Sequence, residues 1–388
     1  MRLSKKSEEL FYYLGLFFVT VSSTMVGRTY LFLIPHLNPI LKCGAILFFF
    51  LSFLSKGWNR RTILVSVLAI FIVLQVAVIT DSNILFIYIL ALVVSKTDTF
   101  DKICKFLFWL NLSLLIAVFF LYGIGILHDE ITVNDGVNAH SLGFAYYSSP
   151  AYTVLFLTIL GYYLYSGRIH TFKRITFYIL SAIANYGIYK LTTVKLTLFI
   201  YLILLVLIVF AEYLNLIQKV KLNKAIGTIM YPLMFGLSIV LPFIYNRSQL
   251  FVKLDAALNG RLYFSFLGFT RYKIRLFGNM IVTDGGGFDE YWHNTYFYID
   301  SGYVRLFLGY GIILCTAILF VYIMVSRYAA IHKNTKLFIW CILVCIFGFI
   351  NNPFVDIILN PLLFVTVPVF HEIRAERKNS GGVTRQRN

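Results

Sequence analysis

Apolar stretches follow one another along this chain from residue 9 to residue 371, and nothing else constrains its fold so strongly. They lie at 9–26, 39–55, 62–79, 83–95, 106–126, 150–166, 175–189, 196–216, 226–245, 303–325, 337–350 and 356–371. A helix of about 20 apolar residues crosses the ~30 Å hydrocarbon core of a bilayer. Only 13% of the residues are charged and 59% are hydrophobic. Soluble domains carry roughly 25% charged residues, so this chain lacks the polar surface to face water all round. The expectation is an all-α polytopic integral membrane protein with about 12 (10–12) transmembrane helices, the range reflecting the shortness of the fourth, eleventh and twelfth stretches. Residues 1–371 form a single transmembrane helical domain in this reading. Residues 372–388 are polar and contain Asn379-Ser380-Gly381-Gly382, and read as a disordered cytoplasmic tail. Arg2, Lys5 and Lys6 precede the first stretch as in a signal peptide, but no small-residue cleavage pattern follows Val26, so an uncleaved first span is expected.

The net charge of +17 comes from basic residues in short segments between apolar runs, a distribution that fixes topology rather than one that binds nucleic acid. Alternate connections carry Lys56, Arg60 and Arg61; Lys96, Lys102 and Lys105; Arg168, Lys173 and Arg174; Lys219, Lys221 and Lys224; and Arg327, Lys333 and Lys336. With the two termini they hold 23 of the 34 lysines and arginines, and segment 127–149 on the opposite side holds none. The positive-inside rule then puts both termini in the cytoplasm. The five cysteines lie in spans or on the cytoplasmic side, which argues against a disulfide framework. Cys341 and Cys345 share a helical face, a spacing that suits packing better than a metal site. No cofactor or metal is called for.

Segment 246–302 breaks the charge rule. It is extracytoplasmic by parity yet holds Arg247, Lys253, Arg261, Arg271, Lys273 and Arg275, and it is expected to fold as helices because its aromatics are too numerous for a free loop. If Phe266 to Met280 is helical, Arg271 and Arg275 share one face. Two readings stand side by side: arginines that meet anionic headgroups, or a clamp for a phosphate-bearing lipid. Guanidinium groups bind phosphate oxygens in pairs and keep their charge. Arg261, in Asn259-Gly260-Arg261, joins that set. After Gly285-Gly286-Gly287, a turn rather than a phosphate loop because no GK[ST] follows, come His293, Asp300 and Tyr303. Asp300 is a helix cap or a carboxylate that deprotonates a sugar hydroxyl; His293 is a polar loop residue or an acid/base group; Tyr303 is an interfacial aromatic or a ligand contact. Two smaller outside elements contribute His140, in His140-Ser141-Leu142-Gly143-Phe144, and Lys195, at the corner Thr192-Thr193-Val194-Lys195, either a snorkelling lysine or a phosphate contact.

These motifs carry a resemblance. Gly260-Arg261, Leu276-Phe277-Gly278, Asp300 with Tyr303, and Gly311-Ile312 resemble the pattern of the Wzy-type polymerases of O-antigen, capsule and exopolysaccharide repeat units, as does the layout of residues 9–371. Members often show Arg-x-x-Leu-Gly-Phe where this chain has His140-Ser141-Leu142-Gly143-Phe144, and Lys195 replaces an arginine at the tight corner, so the roles of His140 and Lys195 rest least on the family pattern. The resemblance implies a metal-independent membrane glycosyltransferase of the bacterial cytoplasmic (inner) membrane. It would transfer an undecaprenyl-pyrophosphate-linked oligosaccharide onto the next lipid-linked repeat unit at the outer face. Asp300 and His293 would be catalytic, and Arg261, Arg271, Arg275, Lys195, His140 and Tyr303 would bind substrate. Implied partners are the lipid-linked glycan, membrane lipids, a flippase and a chain-length regulator, and no nucleic acid. An O-antigen ligase shares layout and chemistry and is the near alternative. A lipid-linked oligosaccharide flippase is the distant one, disfavoured by the large loop and by the scarcity of mid-span charge.

Overall fold

A computed structural model describes residues 5–56, 58, 60–96, 99–134, 136–166, 171–212, 220–283 and 297–372. The chain is built as a helical membrane protein. Its main helices are α1 (Lys5–Thr20), α2 (Leu37–Ser55), α3 (Arg60–Ile79), α4 (Asn83–Val94), α5 (Phe100–Gly123), α6 (Ser148–Tyr165), α7 (Thr171–Thr192), α8 (Lys195–Glu212) and α9 (Val220–Val240). After them come α10 (Gln249–Ala257), α11 (Arg261–Arg271), the one-turn α12 (Gly302–Val304), α13 (Gly311–Ile331) and α14 (Thr335–Ile350). Among the described residues, six helices are long and apolar enough to cross a membrane: Lys6–Val26, Leu37–Ser55, Thr62–Ile79, Phe100–Gly123, Val220–Phe243 and Gly311–Ile331. The first continues α1 through a π-helical turn, Val21–Val26.

Burial sorts these helices by place. α6 and α14 are apolar all round and buried nearly all round, as central helices must be. α3 exposes large apolar side chains instead, among them Leu64 at 70% and Val78 at 73%, which suits a face turned to lipid. Polar side chains tie the inner helices together. Tyr231 Oη donates to Cys341 O at 2.8 Å, and Ser326 Oγ to Gly227 O at 2.6 Å, where a small residue lets α9 and α13 approach closely.

Three features depart from a plain helical reading. First, segment 127–149 carries a short antiparallel hairpin, β1 (Ile131–Asn134) with β2 (Val137–His140), pairing Ile131 with His140. Second, the stretch expected to span at 356–371 is not one helix. Residues 351–360 are non-helical and buried or half-buried, and only Pro361–Glu372 is a short apolar helix. Third, α11 ends at Arg271, because Tyr272 is already extended at φ −119°, ψ 129°. The strap beyond it docks on the start of α13 through backbone hydrogen bonds: Ile312 N to Arg275 O (3.1 Å), Ile313 N to Leu276 O (3.2 Å) and Asn279 N to Gly309 O (3.0 Å). Those bonds take the groups that a continued helix needs for its own ladder. The expected helix over 266–280 is therefore corrected, and with it the shared face of Arg271 and Arg275.

Candidate functional site

Arg261 owes its position to a tight turn. Asn259 (φ 54°) and Gly260 (φ 75°) are both left-handed, and Asp255 Oδ1 accepts from Leu262 N (2.8 Å) and Tyr263 N (3.3 Å) to cap α11. Arg261 is thus the first residue of α11. Its Nε lies 3.4 Å from Asp300 Oδ2, an ion pair whose geometry is not that of an aligned hydrogen bond.

Around that pair a connected polar cluster assembles from distant parts of the chain. Arg305 Nη1 donates to Tyr298 Oη at 2.6 Å, and its guanidinium also faces Tyr310 and Asp300. Tyr152, on α6, faces Arg261 and Asp300 and bonds Asn351. Tyr310 bonds both Arg305 and Asn352. Beyond Tyr310, Arg28 Nη2 donates to Asp356 Oδ2 at 2.6 Å, and Tyr88 faces Arg28, Asp356 and Tyr310 together. The cluster therefore holds three arginines, Arg28, Arg261 and Arg305, against two carboxylates, Asp300 and Asp356. Burial pushes the Asp300 carboxyl above the usual carboxylate value, while Arg261 and Arg305 pull it back. Buried carboxyls tuned upward are suited to proton transfer.

The hairpin borders this cluster. His140 Nδ1 lies 2.5 Å from Asp129 Oδ2, and Leu142 N donates to Asp129 Oδ1 at 2.9 Å. Next to it, Glu130 accepts from Tyr30 Oη and faces Tyr146, which in turn faces Tyr298. A histidine held by a carboxylate has a fixed ring orientation, the arrangement of an oriented base.

The expected site residues are placed unevenly. Arg261 and Asp300 meet, and His140 sits on the neighbouring hairpin. Tyr303 does not line the cluster with its side chain: it is fully buried and its hydroxyl donates to Cys345 O at 3.0 Å, so it is part of the helix core. Arg271 is exposed, with its guanidinium 4.4 Å from the Phe297 ring centre, and Arg275 is exposed on the strap. Lys195 is exposed at the start of α8, after left-handed Thr193 (φ 57°). His293 and the glycine triplet lie outside the described residues. Sequence reasoning passed over Arg28, Arg305 and Asp356. Their signal was present: Arg305 and Asp356 fall within apolar runs and Arg28 just after one, where charge is expensive and generally has a purpose. The chain matches no protein-family model, no curated protein and no solved structure.

Proposed function

We propose that this protein is a polysaccharide polymerase of the Wzy type, moving a glycan from its undecaprenyl pyrophosphate carrier onto the next lipid-linked repeat unit. The observation that carries the reading is the cluster of Arg28, Arg261 and Arg305 with Asp300 and Asp356 in an otherwise apolar helical body. In this reading the cluster lies at the outer face of the bacterial cytoplasmic membrane, about twelve segments cross, both termini are cytoplasmic, and 246–302 is the large outer loop.

The chemistry follows from charge. As the glycosidic bond to the carrier breaks, negative charge grows on the leaving pyrophosphate, and the sugar becomes oxocarbenium-like. Fixed guanidiniums stabilise that charge best where water is scarce. Asp300 and Asp356 hold Arg261 and Arg28 in place before substrate arrives, and the surplus arginine leaves the cluster net positive. Asp300, ionised, takes the proton of the acceptor hydroxyl as the new bond forms. His293 remains the other candidate for that proton, and no step needs a metal.

The test is polymer length on a gel, in a polymerase-null strain carrying each variant at matched membrane levels. Losing one charge-assisted contact made mainly in the transition state costs about 2.7–4 kcal/mol, or roughly 10²–10³ in rate. Arg28→Ala, Arg261→Ala and Arg305→Ala should each lose long polymer, and Arg→Lys should also impair turnover, because the two-pronged grip is lost. Wild-type ladders from all three alanine variants refute the proposal. Single repeat units that persist on the acceptor mark a polymerase; loss of even single units points to a ligase or a flippase.

A further inference from the structure

A cavity of about 890 Å³ opens between α3, α4, α13 and the last described segment. Its walls are apolar along most of their length, from Leu92 and Ile89 on α4 to Ala317 and Ile313 on α13. The basic side chains of its lining gather at one end, where α2 and α4 finish: Lys56, Lys96 and His371. Trp58 marks the same level, with Lys56 Nζ 4.6 Å from its ring centre, and tryptophan favours the membrane–water interface. From Ser95 back to Leu85 the cavity follows α4 for about 15 Å at 1.5 Å per residue, which is about half the ~30 Å hydrocarbon core, the depth of one leaflet.

We infer that this cavity binds an anionic phospholipid, its acyl chain along α4 and its phosphate at Lys56, Lys96 and His371. The polarity of the cavity is that of a lipid: one charged end, one apolar length. Lys56 supplies the cation. Its Nζ is positioned by three neutral carbonyls, Ser95 O (2.8 Å), Val94 O (3.2 Å) and Val93 O (3.4 Å). Lys96 is shared with Glu8 (3.2 Å) and Glu9 (3.9 Å). The other end of the cavity reaches Tyr88, whose hydroxyl lies 3.4 Å from Ser23 Oγ and which stands between the cavity and Arg28, Asp356 and Tyr310. Depth and that barrier both favour a phospholipid of the leaflet at the basic end over the long isoprenoid tail of a substrate held by the arginines. The inference does not depend on the glycosyltransfer reading.

Native mass spectrometry of the full-length protein in mild detergent tests it, with phosphatidylglycerol, phosphatidylcholine of the same chains, and undecaprenyl phosphate as probes. Phosphatidylglycerol should be retained over phosphatidylcholine, and Lys56→Gln should cut that preference about fivefold, the effect of one cation near an anionic headgroup. Ala317 is exposed into the cavity, so Ala317→Trp fills it without touching the packed core, and should abolish retention while the protein still elutes as one species. Ala69→Phe does the same from α3 should Ala317→Trp aggregate. Equal retention of both phospholipids, or retention unchanged in both filled variants, overturns the inference. Displacement of phosphatidylglycerol by undecaprenyl phosphate at equal concentration, abolished by Ala317→Trp, also overturns it and makes the cavity a seat for isoprenoid.

Discussion

Gly278 and Gly311 touch backbone to backbone: a Cβ on Gly278 would stand 1.9 Å from Gly309 O, and one on Gly311 would stand 2.3 Å from Gly278 N. Both have φ of +85°, where only glycine is comfortable. The strap after α11 and the start of α13 can meet only because neither carries a side chain there. Gly278→Ala and Gly311→Ala should each lower stability by about 2–4 kcal/mol through strain and overpacking. Because they share one contact, the double variant should cost less than the sum. Thermal unfolding in detergent, followed by intrinsic fluorescence, measures both, and a melting temperature unchanged in either variant contradicts the contact.

Arg28 and Asp356 join the loop after the first helix to the non-helical stretch near the end of the chain, with both side chains about one-fifth exposed. Arg28→Asp places two carboxylates together and should destabilise by about 2–3 kcal/mol, part of which the swap Arg28→Asp with Asp356→Arg recovers. Unfolding midpoints for the two singles and the double give the coupling directly. Strictly additive effects would show that the pair does not hold these segments together.

Burial raises the Asp300 carboxyl, so if Asp300 is the base of the proposed glycosyl transfer, turnover should fall on the acid side at a pH above the ordinary carboxylate value of 3.8. In an assay with purified lipid-linked repeat units, Asp300→Asn should abolish that acid limb along with most of the rate. A variant that keeps both rate and limb removes Asp300 from the proton transfer.

Asp129 shifts the other way. Burial raises its carboxyl, but the hydrogen bonds from His140, Leu142 and Ser141 outweigh it and hold the value below 3.8. A depressed carboxylate stabilises the fold fully above its unfolded value, and that contribution disappears as pH falls through the folded one. Hydrogen exchange of the Leu142 N–H, which donates to Asp129 Oδ1, should therefore stay slow at pH 5 and quicken, once corrected for intrinsic rate, below about 3.8. Asp129→Asn should make exchange fast at both pH values. Slow exchange in that variant would mean that the hairpin stands without its anchor.

Much of the helical layout was legible because a long apolar run is a local signal. The apolar runs at 39–55, 62–79 and 83–95 differ from α2, α3 and α4 by at most two residues at either end. The site was legible only in part. Asn259-Gly260-Arg261 announced its own turn, and Asp300 stood out as a carboxylate before an apolar run. Their pairing is a tertiary fact. The helix expected through Arg275 failed because α13, more distant in sequence, offers the strap better backbone partners than its own next turn. Tyr303 misled because an aromatic beside a charged residue suits an interface and a core equally well until Cys345 is seen to accept its hydroxyl proton.

The unwound stretch after α14 has a consequence for how the protein is made. A helix enters lipid with its backbone already satisfied, and this stretch does not. Asn351 O depends on Gly302 N, Phe354 O on the Tyr322 hydroxyl, and Ile358 O on the Asn111 amide. All three donors precede it in the chain and have left the ribosome before it emerges. The stretch can therefore be taken up by a bundle that is already assembled, whereas moved to the start of the chain it would wait in the translocon with its carbonyls bare.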